Sequence, residues 1–134
     1  MKATVTSFEI NTTKRTEFVD ITYNIRSAIK KSSVKDGRAL IFCPHTTAGI
    51  TINEGHDHAA ASDIIYFLNK LIPPSVDFKH AEGNSDAHIK ASLMGSSVSI
   101  IIQEGDLYLG KWQAVFLTEF DGPKNRTVCV QCIS

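Results

Sequence analysis

The chain has 134 residues, 43% of them hydrophobic, and its 14 basic and 14 acidic side chains cancel to a formal net charge of zero at pH 7. This length and composition indicate one globular domain, residues 1–134, with one core. Neutral charge argues against a dedicated nucleic-acid or anionic-membrane binder, because such proteins normally carry a basic excess. No apolar run approaches the roughly 18 residues of a membrane-spanning helix. The first five residues lack a secretory apolar segment, so we expect a cytoplasmic protein.

The three cysteines are expected to be reduced thiols, as is usual in the cytoplasm. Two of them form the spacing Cys129-x-x-Cys132 in "RTVCVQC". That stretch is typical of a strand, in which residues three apart point to opposite faces. We therefore expect neither a disulfide nor a shared metal between them.

The first half of the chain predicts strands around one amphipathic helix. Residues 2–11 are typical of a strand. From Thr16 the apolar residues Phe18, Ile21, Ile25 and Ile29 recur at intervals of three and four, which predicts a helix. A turn at 35–38 leads into a strand at 38–43, and a second strand at 49–53 follows a polar corner.

The second half predicts two helices and then strands. Residues 55–74 are typical of a helix that ends at its two prolines. A polar loop at 75–84 precedes a short helix at 85–95, with Asn84 or Ser85 as its N-cap and Gly95 near its end. Strands follow at 96–103, 107–120 and 126–132, with turns at 104–106 and 121–125. A few helices among mostly consecutive strands predict an α+β fold.

Polar residues gather in three loop regions of this otherwise apolar scaffold, where a rigid framework can present them to a ligand. The first contains His45, Thr46, Thr47, Asn53 and Glu54. The second contains His80, Gly83, Asn84, Asp86 and His88. The third contains Trp112, Gln113, Glu119, Asp121, Lys124 and Arg126.

Three of the five histidines are candidates for a shared site. His45, His80 and His88 can hold Zn²⁺ or a similar divalent ion if the fold brings them together. The alternative is that each imidazole hydrogen-bonds a neighbouring backbone group, since their spacing matches no established ligand motif. His56 and His58 open the first long helix after the corner, where a solvated position is expected.

An anion is the other candidate ligand. Gly83-Asn84-Ser85 stands directly before a helix, whose free N–H groups and dipole attract negative charge. An ordinary helix cap is the alternative. Lys124 and Arg126 can neutralise a phosphate, or they can be exposed turn residues.

Three segments together resemble the signature blocks of the YjbQ family: "HTTAGITINE" (45–54), "HAEGNSDAHIKASLMG" (80–95) and "LYLGKWQAVFLTEFDGPKNR" (107–126). The resemblance implies a β-sandwich-like α+β fold, assembled as a homotrimer. With the elements predicted above, the fold has mostly antiparallel sheets, two longer helices and one short helix. It also implies a secondary thiamine-phosphate synthase activity, as described for some members. The family usually has arginine where this chain has Lys124, which keeps the charge and loses the planar bidentate fork.

Two functions follow as hypotheses. The first is a thiamine-phosphate synthase-like transferase, which joins a pyrimidine diphosphate to a thiazole phosphate, releases pyrophosphate, and is assisted by a divalent metal such as Zn or Mg. The second is a non-catalytic trimer that binds a metal or a phosphorylated ligand. In the transferase hypothesis the catalytic candidates are His45, Glu54 and Glu119. The metal ligands are His45, His80 and His88. The phosphate contacts are then Thr46, Thr47, Asn53, Gly83, Asn84, Lys124 and Arg126.

Overall fold

The strands form two antiparallel sheets that face each other across the main core. The computed structural model describes residues 3–74, 78–80 and 83–134, so residues 75–77 and 81–82 of the predicted polar loop lie outside the described residues. The elements in chain order are β1 (Val5–Asn11), β2 (Glu17–Asp20), α1 (Thr22–Ser32), β3 (Gly37–Phe42), β4 (Ala48–Glu54), α2 (His58–Leu71), α3 (Ser85–Met94), β5 (Ser97–Gln103), β6 (Asp106–Leu107), β7 (Gln113–Glu119) and β8 (Asn125–Ile133).

One sheet has five strands in the order β1-β8-β3-β5-β6, and the other has three in the order β2-β7-β4. Alternate residues of β3, β5 and β8 are buried and those between them are more exposed, as expected for a sheet with one covered face. The buried rows meet the inward residues of β4 and β7, such as Ile50 and Leu117, together with Ile25 and Ile29 of α1. Apolar burial between the two sheets therefore forms the main core.

The three-stranded sheet is covered on its other side by α2 and α3. For this reason β7 is buried along both faces, from Ala114 to Glu119. A second apolar cluster lies there, with Leu68 of α2, Ala87 of α3 and Phe120 at its centre. Gly49 permits the close packing of α3, because a Cβ at this position would lie 2.6 Å from the Gly95 carbonyl oxygen. The predicted α+β fold is confirmed.

Two predicted elements differ from the structure. The predicted helix from Thr16 begins only at Thr22, because residues 17–20 form the edge strand β2 on β7. Phe18 there packs against Phe120, with ring centroids 6.4 Å apart, so tertiary packing overrides the helical spacing.

The predicted strand 107–120 is divided between the two sheets. β6 pairs with β5, and β7 pairs with β2 and β4. The chain turns between them, where the Gln113 amide donates to the Gly110 carbonyl at 3.0 Å. A strand that changes sheets needs such a corner.

The cysteines lie where the strand prediction requires. Cys43, Cys129 and Cys132 are free thiols, and Cys129 is half-buried whereas Cys132 is buried, as expected for opposite faces of β8. No helix within the described ranges is long and apolar enough to cross a membrane.

Candidate functional site

A polar pocket lies at one end of the sandwich, where three loop regions meet. It has a volume of about 400 Å³. Its walls come from the corner after β3, from the start of α3 with the loop before it, and from the β7–β8 connection. The residues of this histidine pocket are Pro44, His45, Thr46, Thr47, His80, Asn84, His88, Asp121, Lys124 and Arg126.

A buried ion pair joins the two sheets beneath the pocket. Glu119 on β7 is fully buried, and Arg126 on β8 is 4% exposed. The Glu119 carboxylate accepts from Arg126 Nε and Nη2, from the Thr12 hydroxyl, and from the backbone N–H groups of Phe120 and Asp121. Burial by itself raises the pKa of Glu119, but the bonds from Arg126 and Thr12 outweigh it, so the net pKa is lowered. Glu119 is therefore an ionised structural anchor.

Arg126 connects the buried ion pair to the pocket wall. Its Nη2 also donates to the Thr47 hydroxyl at 2.8 Å. The corner before β4 is thereby tied to the ion pair, and the guanidinium plane is held by both Glu119 and Thr47. A guanidinium fixed in this way presents its remaining donors at a defined place.

His45 is held as a neutral imidazole. Its Nε2 accepts a hydrogen bond from the Thr127 amide at 2.9 Å. Burial, and then the charge of Arg126, lower the pKa of His45 below its usual range. A neutral imidazole has one lone pair and one N–H. Because Nε2 uses the lone pair, this bond assigns the proton to Nδ1 and leaves His45 a hydrogen-bond donor.

His80 and His88 form the opposite side of the pocket. Their ring centroids are 5.1 Å apart at an interplanar angle of 82°. His80 is exposed, whereas His88, in the first turn of α3 after its capping region, is half-buried. The structure thus brings all three predicted histidines around one pocket, while His56 instead packs against Trp112 at 5.0 Å.

A second charged pair closes the pocket rim. The Asp121 carboxylate accepts from Lys124 Nζ at 2.8 Å and from the Asn84 side-chain amide at 2.9 Å. Burial by itself raises the pKa of Asp121, but these two bonds outweigh it and lower the pKa overall. Asn84 is the N-cap residue of α3, and its side chain makes no bond to the helix backbone. It therefore serves to connect α3 to the β7–β8 connection.

Three of the predicted site residues lie apart from the pocket. Asn53 and Glu54 end β4, beside Gln113. The seven-residue strand β4 puts them roughly 20 Å from Thr47 at about 3.3 Å per residue. There the Glu54 carboxylate accepts a hydrogen bond from the His56 backbone amide at 2.7 Å. Gly83 is exposed with φ of 75° and does not line the pocket.

The predicted metal site requires ring nitrogens of the three histidines to be available as ligands. Within residues 3–74, 78–80 and 83–134, no three His, Cys, Asp or Glu side chains are grouped so as to hold a metal ion. His45 has no free lone pair while Thr127 donates to it. The predicted Zn or Mg site stays a prediction.

Two residues of the site had been given no role from the sequence. Asp121, which belongs to the third polar region of the sequence, lines the pocket, and Thr12, which was not a candidate, anchors Glu119 from 107 positions away. Asp121 stands in the turn before Lys124, so its place next to a predicted phosphate contact was an available signal. Thr12 carries no such signal, because only the pairing of β1 with β8 brings it near.

Comparisons with known proteins agree along almost the whole chain. The sequence profile of the family described as "UPF0047 protein YjbQ-like" matches residues 6–134. A UPF0047 protein of Methanocaldococcus jannaschii is 57% identical over 94% of this chain and 91% of its own length. The UPF0047 protein YugU of Bacillus subtilis is 41% identical over 93% of this chain and 96% of its own.

Solved structures match as closely. A crystal structure of an uncharacterized YjbQ/UPF0047 protein from Clostridium acetobutylicum has a TM-score of 0.94 and 52% identity, covering 96% of this chain and 99% of that one. A YbjQ-like protein of unknown function from Sulfolobus solfataricus has a TM-score of 0.93 and 34% identity, covering 98% and 96%. The chain therefore belongs to the UPF0047 family of YjbQ-like proteins.

Proposed function

We propose that the histidine pocket binds the phosphate group of a small metabolite, and that the protein acts on this metabolite as a thiamine-phosphate synthase-like transferase. The observation that carries the proposal is the convergence of Lys124, Arg126 and three imidazoles on one open pocket. Its volume of about 400 Å³ falls within the range of small-molecule sites.

The charged groups around the pocket are suited to binding an anion with moderate affinity. Arg126 is paired with Glu119, and Lys124 is paired with Asp121. Each cation is thus held in place by a carboxylate and retains donors for a ligand. The hydroxyls of Thr46 and Thr47 and the N-terminal turn of α3 add neutral donors to the same wall.

The proposed reaction depends on stabilising a leaving group more than on moving a proton. The carbon–oxygen bond to the diphosphate breaks with its electron pair on oxygen, and the thiazole nitrogen forms the new bond to that carbon. The pyrophosphate that leaves carries the growing negative charge, which cations and donors stabilise. Lys124, Arg126 and His88 are suited to this role.

The two glutamates have different places in this proposal from those that the sequence suggested. Glu119 is saturated with donors and has a lowered pKa, so it orients Arg126 and does not exchange protons. Glu54 lies at the far end of β4. The imidazoles are the remaining pocket groups that can transfer a proton, and the lowered pKa of His45 keeps its ring neutral.

Non-catalytic binding of a phosphorylated ligand is the second candidate. The observation that favours it is the absence, among the described pocket residues, of a carboxylate free to act as a base: Asp121 is held by Lys124 and Asn84. Incubation of the purified protein with phosphorylated metabolites, followed by phosphate and pyrophosphate analysis, separates binding from turnover.

We also propose that the protein is a homotrimer whose interface adjoins the pocket. Helix α2 is rich in apolar residues, and some of them are exposed. The exposed fraction exceeds 60% for Tyr66, Phe67 and Leu71. Leu93 of α3 is 59% exposed on the neighbouring helix. Exposed apolar surface of this kind is typical of protein interfaces. Because α3 also carries Asn84 and His88, an interface there lies next to the site.

Sulfate tests the anion proposal, because it stays dianionic across the pH range in which imidazoles titrate. We expect calorimetry to show sulfate binding that strengthens on acidification, at a pH below the ordinary imidazole value for His45 because its pKa is lowered, whereas Zn²⁺ binding would weaken as imidazoles protonate. Alanine at position 45, 80 or 88 should weaken sulfate binding. His56→Ala and His58→Ala are the matched controls and should bind as the parent does. Equal binding by all five variants would refute the proposed site.

A further inference from the structure

The segment from Thr12 to Arg15 touches both walls of the histidine pocket without lining it. Its backbone holds the β7–β8 connection: the Thr12 amide donates to the Lys124 carbonyl at 2.9 Å, and the Gly122 amide donates to the Arg15 carbonyl at 3.0 Å. The approach is so close that a Cβ on Gly122 would lie 2.2 Å from the Lys14 carbonyl oxygen. The wall that carries Asp121 and Lys124 is therefore fixed to this segment.

The Arg15 side chain reaches the opposite wall. Its two terminal nitrogens donate to the two oxygens of Asp86 in the first turn of α3, at 3.0 and 3.1 Å. This bidentate pairing sets an orientation as well as a distance. Asp86 stands two residues after Asn84 and two before His88, which both line the pocket. Arg15 thus spans the two walls.

Charge neutralisation does not account for Arg15. Asp86 is fully buried and already pairs at 3.2 Å with Lys90, one turn later on α3 and 1% exposed. Lys90 also donates to the Asn69 side chain of α2 at 2.7 Å. A single buried cation balances the carboxylate. Arg15, with its side chain 41% exposed, is a second cation, and its distinctive contribution is to link the two pocket walls.

We propose that Arg15 is a positioning residue for the histidine pocket: its fork to Asp86 holds the α3 wall in register with the Asp121–Lys124 wall. The inference rests on the proposed function, because it concerns how the pocket grips a phosphorylated ligand. An anion bound between the two walls needs both at once, and a displacement of about 1 Å can cost a site one to two orders of magnitude in efficiency.

Pyrophosphate binding, measured by calorimetry at pH 7, tests this. Arg15→Ala removes the fork and leaves Asp86 paired with Lys90, so the fold should persist while affinity falls about tenfold or more. Arg15→Lys keeps the charge and loses the bidentate geometry, so it should lose most of the same affinity. Arg26→Ala is the matched control, because Arg26 is similarly exposed and pairs with Asp106 outside the pocket. It should bind as the parent does.

The outcomes separate this inference from the proposal on which it rests. A parent protein that does not bind pyrophosphate refutes the proposed function and the inference with it. A parent that binds, with Arg15→Ala equal to it, refutes only the positioning role. Full affinity in Arg15→Lys would show that Arg15 acts by charge alone, which also overturns the positioning role. Melting curves of the three variants check that the folded protein is being compared.

Discussion

Replacing Glu119 with glutamine should strongly destabilise the protein, because the amide cannot satisfy the donors that surround it. Five hydrogen bonds converge on the carboxylate, and each of its oxygens accepts at least two. In either orientation the glutamine NH₂ group faces at least two other donors. Arg126, 4% exposed, is left without its counter-charge.

The magnitude follows from the burial of both partners. Removing one member of a buried ion pair costs about 3–5 kcal/mol in the free energy of unfolding. A domain has only about 5–15 kcal/mol in total, so the loss is a large share and should lower the melting temperature by roughly 10 °C or more. Urea and thermal unfolding at pH 7, with all variants at equal protein concentration, measure it.

The pH dependence provides an independent check of the same reasoning. The pKa of Glu119 is lowered in the folded state, so its stabilising contribution is complete above the ordinary value of 4.5 and is lost as the pH falls through the folded value. The difference in free energy of unfolding between the parent and Glu119→Gln should therefore shrink below pH 4.5.

Asp106→Asn is the control variant for the stability prediction, because it breaks an exposed ion pair. It should lower the free energy of unfolding by no more than about 1 kcal/mol. A similar small cost for Glu119→Gln would refute the argument.

Three further predictions concern the rim, the packing and the thiols. Lys124→Arg should bind pyrophosphate severalfold more tightly by calorimetry, because arginine adds a bidentate fork; unchanged affinity would place this side chain outside the ligand contacts. Gly49→Ala should lower the free energy of unfolding by about 1–3 kcal/mol, since its Cβ meets the Gly95 carbonyl, and a neutral result would contradict this packing. Mass spectrometry of the unreduced protein should show three free thiols, because burial raises the pKa of Cys43 and β8 separates Cys129 from Cys132; a disulfide would contradict the strand.

Much of the framework could be predicted from local sequence. The predicted strands at 38–43 and 96–103 and the short helix that ends at Gly95 are close to the observed elements. Their signals are local, since alternation, helical spacing and glycine stops act over a few residues. The prediction that Phe18 lies in a helix was wrong, because its burial depends on rings far along the chain, at Phe116 and Phe120.

Part of the site was also within reach of sequence reasoning. The histidines and Lys124 were predicted because polar residues at the ends of apolar strands are typical of binding loops. Asn53 and Glu54 were grouped with His45 although a strand was predicted between them, and the rise of that strand already separates its two ends by roughly 20 Å. The spacing rule was available and contradicts that grouping.

The chain by itself determined which residues are apolar, where the strands alternate and which loops carry polar groups, because these depend on neighbours in sequence. Only the tertiary structure decided which polar groups meet. Glu119 pairs with Arg126 across two sheets, Thr127 turns His45 into a donor, and Arg15 reaches Asp86 from 71 positions away. These contacts join segments that local periodicity treats separately, and the partial or full burial of their partners strengthens them.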